Sequence, residues 1–123
     1  MIDHIGIHVS DFDRAVAFYT KALAPLGYTM LRNFGTVAGF GTKGKPDFWI
    51  TAGAAGQDRV HVAFTTSSRK IVREFYDAAI AAGGKDNGAP GVRAMYHEHY
   101  FGAFVLDPDG HNVEAVCHEP YLE

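Results

Sequence analysis

The sequence predicts an α+β domain of two tandem β-α-β-β-β modules, with curled mixed sheets around a cleft and the helices outside. Three observations carry this reading. The chain has 123 residues, the length of one domain, and its 47% hydrophobic and 20% charged residues suit a chain that buries a core. It also repeats itself: HIGIHVSDFDRAVAFYTKALAPLGY from His4 aligns without a gap with HVAFTTSSRKIVREFYDAAIAAGGK from His61. In that register His4 meets His61, Ser10 meets Ser67, Phe18-Tyr19 meets Phe75-Tyr76, and Gly27 meets Gly84. Finally, each copy reads as a strand, a helix and three further strands. A unit of about sixty residues present twice is longer than the repeats of solenoids. Module 1 is expected over about residues 1–55 and module 2 over about 58–123.

In module 1, Ile5, Ile7 and Val9 alternate with His4, Gly6 and His8, the period of a half-buried strand. Ser10 is expected to cap the following helix, with Asp11 and Asp13 in its first turn, where carboxylates suit the dipole. Ala15, Phe18, Ala22 and Leu26 recur at helical spacing, and Pro25 with Gly27 ends the helix. Strands follow at about 28–33, 36–42 and 47–52, the last preceded by the turn Lys43-Gly44-Lys45-Pro46. Module 2 repeats the order. It has a strand at about 59–66, a helix from Ser67 to Ala82, and strands near 84–87, 101–106 and 112–117. Its turns are Gly83-Gly84, Pro90-Gly91 and Asp107-Pro108-Asp109-Gly110.

Composition narrows the function. Eleven basic and fourteen acidic residues give a net charge of −3, with no basic stripe to neutralise phosphates, so a nucleic-acid partner is not expected. No apolar run approaches the ~20 residues that span a bilayer, so no membrane partner is expected. The start Met1-Ile2-Asp3-His4 has no basic-then-apolar leader, and Cys117 is the single cysteine. A cytoplasmic setting is the simplest expectation.

Strand parity sorts the histidines. The Ile/Val set of the first strand faces the helix, which sends His4, Gly6 and His8 to the open side. In the fifth strand Val60, Val62 and Phe64 are expected inward, and His61, Ala63 and Thr65 outward. In the last strand Val113, Ala115 and Cys117 form the apolar set, and Asn112, Glu114, Val116 and His118 share the open face. Two histidines and a glutamate on open strand faces suit a divalent ion such as Zn, Mn, Ni or Fe(II), with positions left for water or substrate. The opposing reading is that a strand histidine simply packs and hydrogen bonds, and no local H-x-x-H spacing argues against it. Phe18-Tyr19 and Phe75-Tyr76 read as helix packing, and His111 as a surface residue after its turn.

The duplication, the opening DHIGIHVSDFDRAVAFY and the closing FVLDPDGHNVEAV together resemble the vicinal oxygen chelate superfamily, which includes glyoxalase I, the fosfomycin-resistance transferases, the bleomycin-resistance proteins and the extradiol dioxygenases. The resemblance covers nearly the whole chain. It implies one divalent metal ion held by His4, His61 and Glu114, and a small oxygen-chelating substrate on which the metal acts as a Lewis acid. It also implies a homodimer whose clefts lie at the interface. The alternative within the same family is a metal-free binding protein that sequesters a small molecule or drug, as the bleomycin-resistance proteins do.

Departures from the family pattern bear on the reaction. Aligning FWITAG with VEAVCH sets Trp49 where the other module has Glu114, and an indole has no lone pair for a metal. The carboxylate base of glyoxalase I is therefore missing. The stretch Ala94-Met95-Tyr96-His97-Glu98-His99-Tyr100 lacks the lysine and serine of the fosfomycin enzymes. No catalytic residue is identified, but His97 and His99 are candidates. His8, Trp49, Tyr96, Tyr100 and Phe104 are candidates for substrate contact, with Trp49 either a substrate wall or a dimer contact.

Overall fold

The computed structural model describes residues 1–53 and 59–120, so the expected module junction at 55–58 lies outside the described residues. Module 1 contains β1 (Ile5–Val9), α1 (Phe12–Ala22), β2 (Thr29–Asn33), β3 (Val37–Thr42) and β4 (Lys45–Ala52). Module 2 contains β5 (His61–Thr65), α2 (Arg69–Ala81), β6 (Lys85–Val92), β7 (Phe101–Leu106) and β8 (Asn112–Cys117). Each module folds into one four-stranded mixed sheet, in the orders β1-β4-β3-β2 and β5-β8-β7-β6. The first strand of each runs parallel to the last, as a helical crossover requires, and the other pairs are antiparallel. The tandem β-α-β-β-β reading is thus what the chain adopts, and neither sheet closes on itself.

Several boundaries differ from expectation for identifiable reasons. The cap of α1 is Asp11, whose carboxylate accepts the Arg14 N–H, because the Ser10 hydroxyl is taken by Asp109 of the other module. Ser68 caps α2 through the Ile71 N–H, so that helix starts at Arg69. Lys45 and Pro46 belong to β4 instead of the preceding turn, which tightens to Lys43-Gly44 with both residues at positive φ. Pro90-Gly91 sits inside β6, an edge strand whose pairing with β7 is shifted around Gly88, and an edge tolerates the missing N–H. Val60 precedes β5 and remains 37% exposed, so it does not join the inward set.

Both helix-facing sides merge into one core. Ile7, Val9, Phe18, Tyr19, Phe40, Phe48 and Ile50 of module 1 pack in the same cluster as Val62, Phe64, Val72, Phe75, Val105 and Val113 of module 2. Phe64 inserts between Tyr28 and Phe48, with ring centroids 5.2 and 5.4 Å away and near-perpendicular planes, the favoured aromatic geometry. The side of each sheet turned away from its helix stays outside this core.

Polar side chains at the turn between β7 and β8 tie the modules together. Asp107, only 4% exposed, accepts the Tyr19 hydroxyl of α1 at 2.5 Å and the backbone N–H groups of Asp109 and His111. Asp109 accepts both the N–H and the hydroxyl of Ser10. The sequence reading of His111 as a surface residue is wrong: it is 3% exposed. Its Nδ1 accepts the Val60 N–H, so Nε2 carries the proton and donates to the His8 carbonyl at 2.9 Å. A ring with both nitrogens engaged in two modules can be buried, whereas an unpartnered one could not. Burial, and then Asp107, push the Tyr19 phenol well above its usual pKa, so it stays a donor.

Tyr19→Phe leaves the buried Asp107 Oδ2 without its cross-module donor. It is expected to cost about 1.5–3 kcal/mol of stability, read as a lower midpoint in urea unfolding. An unchanged midpoint would show that this bond contributes nothing net.

Candidate functional site

Three of the expected site residues, His61, Phe104 and Glu114, fall on the side of the module 2 sheet that the core leaves uncovered. In module 2, Glu114 pairs across the sheet with Ala63 on one side and Phe104 on the other, and His61 lies two residues before Ala63 on the same face. Strand register alone therefore groups His61, Phe104 and Glu114. With Tyr96 and Tyr100 they line an open hollow of about 390 Å³.

Glu114 lies on the open side, yet it is 1% exposed. Its two oxygens have separate partners. Oε1 lies 2.7 Å from His61 Nε2, and Oε2 accepts the Tyr100 hydroxyl. Burial first, and then the bond to Glu114, raise the Tyr100 phenol above its ordinary pKa, which keeps its proton in place. Tyr100 reaches Glu114 from the segment Arg93–Tyr100, whose base is closed by the Arg93 N–H donating to the Tyr100 carbonyl at 2.7 Å. Gly102 makes room for the pair, since a Cβ there would lie 3.1 Å from the Tyr100 ring and 3.3 Å from Glu114 Oε2. The Phe104 ring stands 6.2 Å from that of His61, and the Arg93 guanidinium lies 5.4 Å from the Phe104 centroid.

His4 is elsewhere in the chain. It precedes β1, is exposed, and lines a different hollow of about 290 Å³ with Tyr28, Asp47 and residues of β5. Its Nδ1 is 2.7 Å from Asp3 Oδ2, which leaves Nε2 as the unengaged nitrogen. Lys45, and then His4, hydrogen bond to Asp3 and lower its carboxyl to about 2. Among the described residues no three His, Cys, Asp or Glu side chains gather around one point. One chain thus brings together His61 and Glu114 but not His4.

His97 and His99 do not line the Glu114 hollow. His97 accepts the His99 N–H on Nδ1 and donates through Nε2 to His118 Nδ1 at 2.6 Å, with the two rings stacked. The His97 and His118 rings both contact Tyr100, at centroid distances of 5.5 and 5.2 Å. His99 is half-buried beside Glu98. The His97–His118 pairing had no local signal, because the two residues are 21 positions apart and on different elements. Tyr100 was expected as a substrate contact; its bond to Glu114 was not anticipated.

In module 1 the register pairs Gly6 with Trp49, as it pairs Ala63 with Glu114 in module 2. Trp49 therefore holds the position that mirrors Glu114. Its half-buried ring lies over Gly39, where a Cβ would come within 2.8 Å of it. His8 lies on the same open side, its ring against Gly53.

A family model for the Glyoxalase/Bleomycin resistance protein/Dioxygenase superfamily matches residues 1–115. The chain belongs to this superfamily. A glyoxalase/bleomycin resistance protein from Albidiferax ferrireducens superposes with a TM-score of 0.79 at 25% identity, covering 94% of this chain and 97% of that one. A glyoxalase/bleomycin resistance protein/dioxygenase family enzyme from Burkholderia phytofirmans gives 0.73 at 20% identity, over 96% and 98% of the two chains. A mutant of glyoxalase I from Zea mays gives 0.71 at 24% identity, covering 94% of this chain and 46% of that one. No curated protein matches the chain. The superfamily includes enzymes such as glyoxalase I, while Trp49 differs chemically from the carboxylate that its pseudo-symmetric position carries in module 2.

Gly39→Ala should lift the Trp49 ring, because the new methyl takes the space that the ring covers. As Trp49 is the single tryptophan, the expected result is a red-shifted emission maximum and faster acrylamide quenching, with an unchanged far-ultraviolet spectrum. Identical emission in the variant would mean that the indole does not rest on this glycine.

Proposed function

We propose that the protein is a metal-dependent enzyme of the superfamily that acts on a small oxygen-chelating substrate. It would work as a homodimer in which His61 and Glu114 of one protomer and the partner subunit's His4 hold a single divalent ion. The observation that carries this reading is the Glu114 carboxylate, 1% exposed, facing the His61 imidazole at 2.7 Å beside an open aromatic hollow. Imidazole nitrogen and carboxylate oxygen are the donors that Zn, Mn, Ni and Fe(II) accept. His4 suits the third position because Asp3 engages Nδ1 and leaves Nε2 available.

When bound, the ion would polarise neighbouring substrate oxygens as a Lewis acid. The side chains of this protein do the rest. Phe104 and Tyr100 wall the hollow with aromatic surface against which a small substrate can pack. Trp49 offers an apolar face but no proton acceptor, so the proton transfer of glyoxalase I has no carboxylate at this position to perform it. Sharing ligands between protomers suits the apolar residues left on the surface, among them Phe34, Val92, Met95 and Tyr96. The single thiol, Cys117, is buried, which suits a cytoplasmic setting.

A second reading, a metal-free protein that sequesters a small molecule, draws on the aromatic lining by Tyr96, Tyr100 and Phe104. The two readings separate on metal binding. Under the first, Glu114→Gln should lower the affinity for added Zn(II) or Mn(II) at least tenfold, as loss of a charged donor does; unchanged affinity would remove Glu114 from the ligand set. Turnover of the methylglyoxal–glutathione adduct by metal-loaded protein is expected to be weak or absent, and robust turnover would contradict the role assigned to Trp49. Mixing a His4→Ala chain with a Glu114→Ala chain should restore one intact site per mixed dimer, seen as recovered metal content. A mixture that binds no metal, or a monomer in sedimentation at micromolar concentration, would exclude ligand sharing.

A further inference from the structure

Glu114 has two oxygens, and the chain has committed one of them to a residue outside the donor set. Oε1 faces His61, while Oε2 accepts the Tyr100 hydroxyl. Tyr100 is itself fixed. Its ring makes edge contacts with Tyr96, His97 and His118, at centroid distances of 4.8, 5.5 and 5.2 Å. Its carbonyl accepts the Arg93 N–H, and its own N–H donates to the His97 carbonyl. His97 is held in turn through one ring nitrogen by the His99 N–H and through the other by His118. A phenol gripped in this way cannot follow the carboxylate, so the carboxylate takes its orientation from the phenol. Gly102 points the same way, because a side chain there would crowd both the Tyr100 ring and Glu114 Oε2. The absence of a Cβ at that position leaves space for this pair.

We propose that Tyr100 is a positioning residue that ties up Glu114 Oε2, so that the carboxylate offers a metal ion only Oε1, beside His61. The inference rests on the metal reading given above and adds what decides how Glu114 takes part. If both oxygens were available, the carboxylate could rotate and grip an ion with both, filling a position that a substrate oxygen would otherwise take. With Oε2 bonded to a rigid phenol, that position stays open. The His97–His118 pair serves as the backing for Tyr100, a structural use for two histidines that do not line the hollow.

The test is Co(II) binding to the full chain, because Co(II) reports both affinity and coordination number through its visible absorption. Wild type, Tyr100→Phe, Glu114→Gln and Tyr76→Phe are titrated in competition with a chromogenic chelator. Tyr76→Phe is the control, since it removes the same oxygen from a phenol that interacts with a different carboxylate, Asp86. Tyr100→Phe is expected to retain one Co(II) per chain and to show weaker visible absorption, because Oε2 becomes free to join Oε1 on the ion and the coordination number rises. Tyr76→Phe should match the wild type. Gly102→Ala, which crowds the pair without removing the hydroxyl, should shift the spectrum in the same direction, and it keeps the proposal testable if Tyr100→Phe folds poorly. A Tyr100→Phe protein that binds Co(II) with the wild-type spectrum would overturn the proposal while leaving the metal reading intact. Failure of the wild type to bind Co(II), or full retention of Co(II) by Glu114→Gln, would overturn the metal reading instead and this proposal with it.

Discussion

The placement of the site depends on the buried carboxylate of Asp107. A polar side chain at 4% exposure is tolerated only where partners surround it, and this one accepts from three donors: the Tyr19 hydroxyl and the N–H groups of Asp109 and His111. Two of these belong to its own turn and one to the helix of the other module. The turn is therefore shaped and anchored by the same side chain. Asp109 then binds Ser10, and His111 bridges Val60 to the His8 carbonyl, so three residues of one turn hold both modules. Strand β8 leaves from this anchor, and Glu114 lies three residues beyond His111. Any slip of the turn would move the carboxylate out of line with Ala63 and Phe104.

The two copies of the module have diverged where their strands meet the open side. Backbone geometry is retained: Gly6 with Trp49 and Ala63 with Glu114 occupy equivalent rungs. The chemistry is not. One rung carries an indole lying over Gly39, the other a carboxylate held by His61 and Tyr100. Small residues beside each, Gly39 and Gly102, fit the two different occupants. Only module 2 has a long segment, Arg93–Tyr100, between its second and third strands, and that segment brings the phenol to Glu114. Duplication supplies a symmetric frame, and one loop makes a single half of it chemically distinctive.

Period and register were legible in the sequence because they are local or follow from the repeat. The alternation in β1 and β5, the spacing in α1, and the 57-residue offset sufficed for the module order, and aligning FWITAG with VEAVCH set Trp49 opposite Glu114. What was not legible depended on distant partners. Ser10 looks like a cap until Asp109 claims its hydroxyl, and the cap passes to Asp11. His111 follows a polar turn and reads as exposed, since nothing nearby reveals that Val60 and His8 receive its two nitrogens. Parity placed Glu114 on the open side but could not foresee its burial, which comes from a tyrosine in a loop without periodicity. The expected ligand set separates in the same manner: His61 and Glu114 meet through neighbouring strands, whereas His4 precedes its strand and lies against another hollow.

The central claim is that the His61–Glu114 pair is a metal centre and not a hydrogen-bonded packing motif. The most direct test is the elemental content of wild-type protein purified without chelator and without added metal, followed by back-titration after chelator treatment. The account predicts one divalent ion per chain, lost to the chelator and regained on titration to the same stoichiometry. A protein that carries no ion and takes up none would contradict it.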